Sequence, residues 1–302
     1  MSRELSFTVD SKQDGMKLYD FLRREQKFSY RLITSLKHQP NGIQINHVHA
    51  RTIDRLKTGD LVSVALPQND NEGATVSDLQ VPIVYEDDDL IIYDKPAGMN
   101  CHPSRRIQND TLANVFARHC RERGLAITFR CLNRLDMDTS GLVLLAKNQY
   151  VAARLKFAVQ KEYVALLHGV PDPREGTVRE PIVRINDIYT KRQVDPSGQP
   201  AVTHYRVLAR SEDGAYSMAR MVLETGRTHQ IRVHLSYIGH PLMGDDMYGG
   251  RTDLLARQAL HCERMSFVHP VTGEAVAVSA PLPKDMQKAR NDAKICIEFP
   301  IE

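Results

Sequence analysis

Apolar residues fall at helical spacing twice near the start of the chain: Leu18, Phe21 and Leu22 within residues 16–27, then Leu32, Ile33 and Leu36 within residues 29–38. With turn or cap residues ahead of each, this spacing predicts two short amphipathic helices. Their polar faces carry Arg23, Arg24, Lys27, Arg31 and Lys37. A Pro40-Asn41-Gly42 turn leads into the strand-like Ile43-Gln44-Ile45-Asn46, and Gly59-Asp60-Leu61-Val62-Ser63-Val64 follows later. Residues 67–80 show no periodicity and read as a flexible linker. Beyond them, short apolar runs such as Ile91-Ile92-Tyr93, residues 142–146 and Val164-Ala165-Leu166-Leu167 alternate with helical stretches near residues 112–123 and 151–160. The strands are not followed by helices in strict βαβ order, and no Gly-x-Gly-x-x-Gly or phosphate-loop sequence occurs, which argues against a doubly wound nucleotide-binding fold. The pattern predicts an α+β protein: a small helix-helix-strand module at residues 1–66, and a larger domain at residues 81–302 built on a mixed, largely antiparallel sheet.

At 302 residues and 42% hydrophobic composition, the chain is large enough to bury a full core. It contains no apolar run of the roughly eighteen residues that a membrane span needs, and its first nine residues lack a cleavable apolar stretch, so a cytoplasmic protein is expected. The five cysteines are scattered and form no Cys-x-x-Cys pair, which points to reduced packing thiols and to neither a disulfide framework nor a zinc site. The net charge of +3 conceals a division. Residues 1–66 carry eleven Lys and Arg against seven acidic residues, whereas residues 67–90 carry seven acidic residues and no base. Two basic bodies joined by an acidic segment suit a polyanion held at two points.

Two segments carry candidate chemistry. Asn133-Arg134-Leu135-Asp136-Met137-Asp138-Thr139-Ser140-Gly141 is a polar turn feeding a buried-strand run, and a carboxylate on a turn braced by a strand is well placed for catalysis. Glu224-Thr225-Gly226-Arg227-Thr228-His229-Gln230-Ile231-Arg232-Val233-His234-Leu235 crowds arginines, histidines and a glutamine into one stretch that only partly alternates as a strand would.

Together these segments resemble the signatures of the RluA-type pseudouridine synthases, a His-Arg-Leu-Asp-x-x-Thr-Ser-Gly block and a Gly-Arg-Thr-His-Gln-Ile-Arg-x-His block. The resemblance extends to residues 85–92 with Asp94-Lys95-Pro96-Ala97-Gly98-Met99 and His102-Pro103, to Lys161-Glu162-Tyr163, and to Leu260-His261-Cys262 with His269-Pro270-Val271-Thr272-Gly273-Glu274. One position departs, since Asn133 stands where the family commonly has His. The change bears on a local hydrogen bond and is not expected to remove activity. The N-terminal order is similar to the small RNA-binding domain first described in a ribosomal small-subunit protein, which makes Arg23, Arg24, Lys27, Arg31 and Lys37 expected RNA contacts.

The resemblance implies isomerisation of uridine to pseudouridine in RNA, with no cofactor and no metal. It maps the catalytic carboxylate onto Asp136, with Asp138 in a variable position where Asn should be tolerated. It gives Arg227 the contact to that carboxylate, and Tyr163 the face on which the target base stacks together with help in removing the carbon 5 proton. Arg134 would fill the gap left by an everted nucleotide, because a guanidinium can stack between bases. Arg232 is expected as a structural or phosphate contact, and His229 is counted with the RNA-binding residues. The expected partner is RNA, ribosomal RNA of the large subunit ahead of transfer RNA, with no membrane, no obligate protein partner and a monomer as default. Two other classes compete: an inert RNA-binding or ribosome-assembly factor, and a metal hydrolase using His229 and His234. The second lacks helical i, i+4 spacing and any His-Glu-x-x-His block.

Overall fold

The computed structural model describes residues 3–66, 75–104, 107–185 and 190–299. Strands β1 (Glu4–Thr8), β2 (Ile43–Ile45), β3 (Val48–His49) and β4 (Leu61–Ala65) form a small antiparallel sheet in the order β1-β4-β2-β3. Against it lie α1 (Leu18–Asp20), which runs on into a π-helical turn (Phe21–Glu25), and α2 (Tyr30–Leu36). The residues that set the helical spacing, Leu18, Phe21, Leu22, Leu32, Ile33 and Leu36, are all buried. The first helix is shorter than its pattern suggests because Lys27 takes a left-handed conformation (φ 58°) and turns the chain. The Ser29 hydroxyl then accepts from Leu32 N at 3.1 Å and caps α2.

This module is docked on the larger domain. The guanidinium of Arg3 forks onto Asp89 at 2.7 and 3.0 Å, and Phe28 packs on Tyr150 with ring centroids 4.7 Å apart. Arg154 donates to the Gln26 carbonyl at 2.8 Å. Of the segment expected to be a flexible linker, residues 67–74 lie outside the described residues, and residues 75 and 77 bond to the larger domain. Asn114 Nδ2 donates to the Thr75 carbonyl at 2.9 Å, and the buried Ser77 hydroxyl donates to Asp110 at 2.6 Å.

The larger domain contains β5 (Ile83–Glu86), β6 (Leu90–Lys95), β7 (Ser140–Ala146), β8 (Gln160–His168), β9 (Glu175–Val178), β10 (Ile182–Arg184), β11 (Arg192–Val194), β12 (Thr203–Arg210), β13 (Tyr216–Leu223), β14 (Leu260–Val268), β15 (Ala275–Ser279) and β16 (Ile297–Glu298). All but β10 and β11 belong to one sheet whose main path is β16-β12-β13-β8-β14-β7-β6-β5, with β9 beside β12 and β15 beside β14. Among the described residues only β7 and β14 pair in parallel, so the sheet is mixed and largely antiparallel, as expected. Strands β10 and β11 form a separate two-stranded ribbon. The helices are α3 (Leu112–Glu122), α4 (Gln149–Leu155), α5 (Gln230–Tyr237) and α6 (Lys284–Asp292). Asn148 accepts from Val151 N at 2.9 Å and starts α4 two residues before the apolar pattern suggests.

Every residue of β7 is buried, which is why its sequence reads as an unbroken apolar run rather than an alternating one. At its start, Gly141 adopts φ +111°, and a Cβ there would collide with the backbone of Cys262 on β14. The glycine permits the close parallel pairing of β7 and β14, and that pairing anchors the polar turn ahead of β7.

Candidate active site

The turn at residues 133–139 is held from several sides. Asn133 pairs with the backbone of β7: Nδ2 donates to the Leu142 carbonyl at 3.1 Å, and Oδ1 accepts from Leu144 N at 2.9 Å. Its amide thus supplies a donor and an acceptor, as a neighbouring strand would, and this satisfies the position where the family commonly has His. The fully buried Lys95 donates to the carbonyls of Pro96, Met99 and Met137 at 2.8, 2.8 and 3.0 Å, tying β6 to the turn, while burial pulls its ammonium down to about 8. Arg257 Nη1 donates to the Asp138 carbonyl at 3.0 Å, and the Cys101 thiol lies 3.5 Å from Leu135 N. A hydrogen bond with Cys131 pulls Cys101 down to about 7.

Asp136 projects from this braced turn with its side chain 29% exposed, accessible yet partly shielded from water. Its Oδ2 accepts from Arg232 Nη1 at 3.2 Å and lies 3.8 Å from His229 Nε2. Arg232 is buried on α5, where Asp245, 1% exposed, takes its other side through two bonds of 2.7 and 2.8 Å. Burial alone would weaken the proton affinity of Arg232, but Asp245 and Asp136 outweigh it and raise it. One guanidinium therefore serves two carboxylates. Asp245 holds the tighter share and fixes the arginine, leaving Asp136 with a single charge-assisted bond.

The arginine at Asp136 is thus Arg232, which corrects the expectation that placed Arg227 there. Arg227 is exposed, and its Nε donates to the Pro200 carbonyl at 3.0 Å. The cause is a reversal of the chain at His229, which takes a left-handed conformation (φ 59°) and opens α5. Residues before that point stay on the outside of the turn, and Arg232 falls on the inward face of the helix. Gln230, buried, pins the junction: its Oε1 accepts from Arg227 N and the Thr225 hydroxyl, both at 2.9 Å, and its Nε2 donates to Val202 O at 2.9 Å. The sequence held a signal for this helix, because Gln230 and His234 as well as Ile231 and Leu235 stand four apart. The partial strand alternation masked it.

Tyr163 on β8 is 6% exposed. Burial first, with the neighbouring Cys262 and the charge of Asp136 adding to it, pushes its phenol well above the usual value. The ring is a neutral, apolar wall near the carboxylate. Arg134 is exposed at the rim, one residue before the buried Leu135 and two before Asp136. His229 Nδ1 bonds the Tyr248 hydroxyl at 2.9 Å, and burial lowers its proton affinity. His234 is fully buried, with Nδ1 on the Thr203 hydroxyl and Nε2 on the Glu180 carbonyl, both at 2.9 Å. Neither of its ring nitrogens is left for a metal ion, which removes the hydrolase reading. Among the described residues, one group of three acidic and imidazole donors lies close enough to share an ion: Asp87, Asp89 and His269. There Asp89 is committed to Arg3.

None of the five N-terminal residues expected as RNA contacts bonds to this site among the described residues. Arg23 donates to its own module's Phe28 carbonyl at 3.1 Å, and Arg24 pairs with Asp20 at 3.3 Å. Lys27, Arg31 and Lys37 are exposed. The sequence reading missed Asp245, Tyr248 and Lys95 as parts of the site, because each acts through folding contacts that no local pattern announces.

Residues 89–237 match the family model described as RNA pseudouridylate synthase. The chain is 38% identical to an uncharacterized RNA pseudouridine synthase, YhcT, of Bacillus subtilis, over 94% of this chain and 96% of that one. It is also 38% identical to the ribosomal large subunit pseudouridine synthase D of Vibrio parahaemolyticus, covering 81% and 80% of the two chains. Human RNA pseudouridylate synthase domain containing 1 superposes with a TM-score of 0.52 at 26% identity, over 73% of this chain and 97% of that one. Human RNA pseudouridylate synthase domain containing 4 shares the fold, with a TM-score of 0.58 at 23% identity, over 72% and 94%. With its catalytic-domain fold, its signature segments and near full-length likeness to these relatives, the chain belongs to the RluA-type family of RNA pseudouridine synthases.

Proposed function

We propose that this enzyme isomerises specific uridines of large-subunit ribosomal RNA in the cytoplasm, acting as a monomer, with Asp136 as the catalytic carboxylate. The observation that carries the assignment is the placement of Asp136: a partly exposed carboxylate on a braced turn, held by Arg232, which is itself fixed by Asp245. The reaction breaks the bond between the ribose anomeric carbon and N1, turns the freed base, and joins carbon 5 to the same sugar carbon. Carbon 5 loses its proton and N1 ends with one, so the balance needs no redox partner. A carboxylate can serve as nucleophile at the anomeric carbon or as base, as in glycosidases. The guanidinium of Arg232 orients that carboxylate through a charge-assisted bond.

Tyr163 offers a flat apolar face for the base and, as a neutral phenol, does so without adding charge beside Asp136. Arg134, exposed at the rim, would occupy the stack vacated by the everted nucleotide, offsetting the few kcal/mol that eversion costs. Lys27, Arg31 and Lys37 give the N-terminal module an exposed basic surface suited to ribosomal RNA, and the name of the Vibrio relative points to the same substrate class. The test is pseudouridine mapping by carbodiimide labelling and primer extension across ribosomal and transfer RNA. A gene deletion is compared with strains rescued by the wild type or by Asp136→Asn. Large-subunit sites that vanish and return only with the wild type are expected. Sites lost from transfer RNA instead would reassign the substrate, and rescue by Asp136→Asn would overturn the catalytic assignment.

A further inference from the structure

The β10–β11 ribbon lies over α5. Ile182 and Val194, cross-strand partners, pack with Val233 of α5 and with Tyr248. Arg192 stands two residues before Val194, so it shares that inward face. Its backbone N–H donates to the Tyr248 hydroxyl at 2.8 Å, and the same hydroxyl bonds His229, whose Nε2 lies 3.8 Å from Asp136. The Tyr248 ring is flanked by two cations, with the Arg232 guanidinium 5.0 Å and the Lys191 ammonium 5.7 Å from its centroid.

Among the described residues, three cations, Arg232, Lys191 and Arg192, stand around this tyrosine with two carboxylates. Arg232 is shared by both nearby carboxylates, Asp136 and Asp245. Lys191 and Arg192 have no carboxylate partner among the described residues, and Arg192 Nη1 is buried with no hydrogen-bond partner. A buried guanidinium N–H left unmade is costly, and such an orphan asks for an acceptor that arrives with a ligand. That acceptor must be anionic, compact and a neighbour of the group held at Asp136. A backbone phosphodiester meets each condition, because when the uridine's anomeric carbon faces Asp136 its flanking phosphates are one ribose away. We propose that Arg192, with Lys191 beside it, forms a phosphate-binding site on the β10–β11 ribbon that takes a phosphodiester next to the everted uridine. It registers the ribose against Asp136. The site rests on the pseudouridine synthase reading and adds to it an RNA contact placed at the reacting nucleotide.

The test uses the full chain carrying Asp136→Asn, so that RNA binds without turnover, and a labelled in vitro transcript of a large-subunit ribosomal RNA hairpin that the wild type modifies. Affinity is measured against potassium chloride concentration for this protein and for versions that add Arg192→Gln, Arg192→Lys or Lys191→Gln. Each phosphate neutralised contributes about 0.7 to 0.9 to the slope of log affinity on log salt. Arg192→Gln is expected to lower the slope by that amount and weaken binding about tenfold at moderate salt, with Arg192→Lys restoring the slope. Lys191→Gln, on a more exposed residue, gives an independent reading with a smaller decrease. A slope unchanged in both glutamine variants overturns the proposal, even if affinity falls, because a merely structural arginine alters affinity without altering the count of phosphates. Failure of the wild type to modify any RNA would undo the synthase reading itself and is read separately, by turnover.

Discussion

Exchanging the two arginines of the second signature segment gives the sharpest test of the site. Arg232→Gln removes the 3.2 Å contact to Asp136 and both bonds to Asp245. At 3.2 Å, with an effective dielectric constant of about 20, the gross attraction between Arg232 and Asp136 is about 5 kcal/mol. Asp136 is 29% exposed, so screening and desolvation cut this to about 3 kcal/mol, in line with the ~2.7–4 kcal/mol lost when one preorganised donor is removed from an active site. Turnover should therefore fall about a hundredfold or more, at about 1.4 kcal/mol per tenfold. Arg227→Gln, which loses one exposed bond to a carbonyl, should change turnover less than about fivefold. The assay is single-turnover release of tritium from carbon 5 of labelled uridine in RNA, with enzyme in excess. Folding must be checked in parallel, because leaving Asp245 buried without its cation costs about 3–5 kcal/mol. Arg232→Lys retains the charge and loses the fork, so it should fold better and remain at least tenfold impaired. A hundredfold loss in Arg227→Gln, with Arg232→Gln still active and folded, would refute this assignment.

Other consequences are as direct. Asn133→Ala removes two bonds to the β7 backbone and leaves Leu142 O and Leu144 N without them, so thermal or urea melts should show a loss of about 1–3 kcal/mol. Asn133→His should keep activity within a few fold in the tritium assay. Gly141→Ala must place a Cβ against the Cys262 backbone at φ +111°, and the expected result is little folded protein by circular dichroism. Burial holds His168, His229, His234 and His261 below their ordinary proton affinity. The unfolded chain therefore binds protons before the folded one does, and stability present above pH ~6.5 is lost as pH falls through the lowered values. Urea midpoints should drop between pH 7 and pH 5, and a midpoint that rises over that range would contradict the burial of these rings.

Much of the site was legible because its residues are local. Asn133 to Gly141 form a contiguous turn-and-strand signature, and the apolar run of β7 announces a strand buried on both faces. The two N-terminal helices were visible in the spacing of Leu18, Phe21, Leu22, Leu32, Ile33 and Leu36, all of which turn out to be buried. The resemblance to a known family supplied Asp136 and Tyr163, which no periodicity could have ranked above their neighbours. What failed was direction. Arg227 and Arg232 are five residues apart in the same polar stretch, and which one reaches Asp136 depends on the left-handed reversal at His229 and the helix that follows it.

The sequence by itself determined the class of fold, the positions of α1 to α4 and of strands such as β2, β4, β6, β7 and β8, and the segment that bears the carboxylate, because periodicity, turn chemistry and signature order are properties of short stretches. Tertiary structure decided what each side chain meets. Asp245 lies 109 positions after Asp136, yet both take hold of Arg232, and Lys95 on β6 grips the carbonyl of Met137 across 42 positions. It also decided that the N-terminal module docks on the larger domain through Arg3 on Asp89 and Phe28 on Tyr150. Such contacts form only when the sheet is closed and the buried charges must find partners, a constraint that acts through space and leaves no period in the chain.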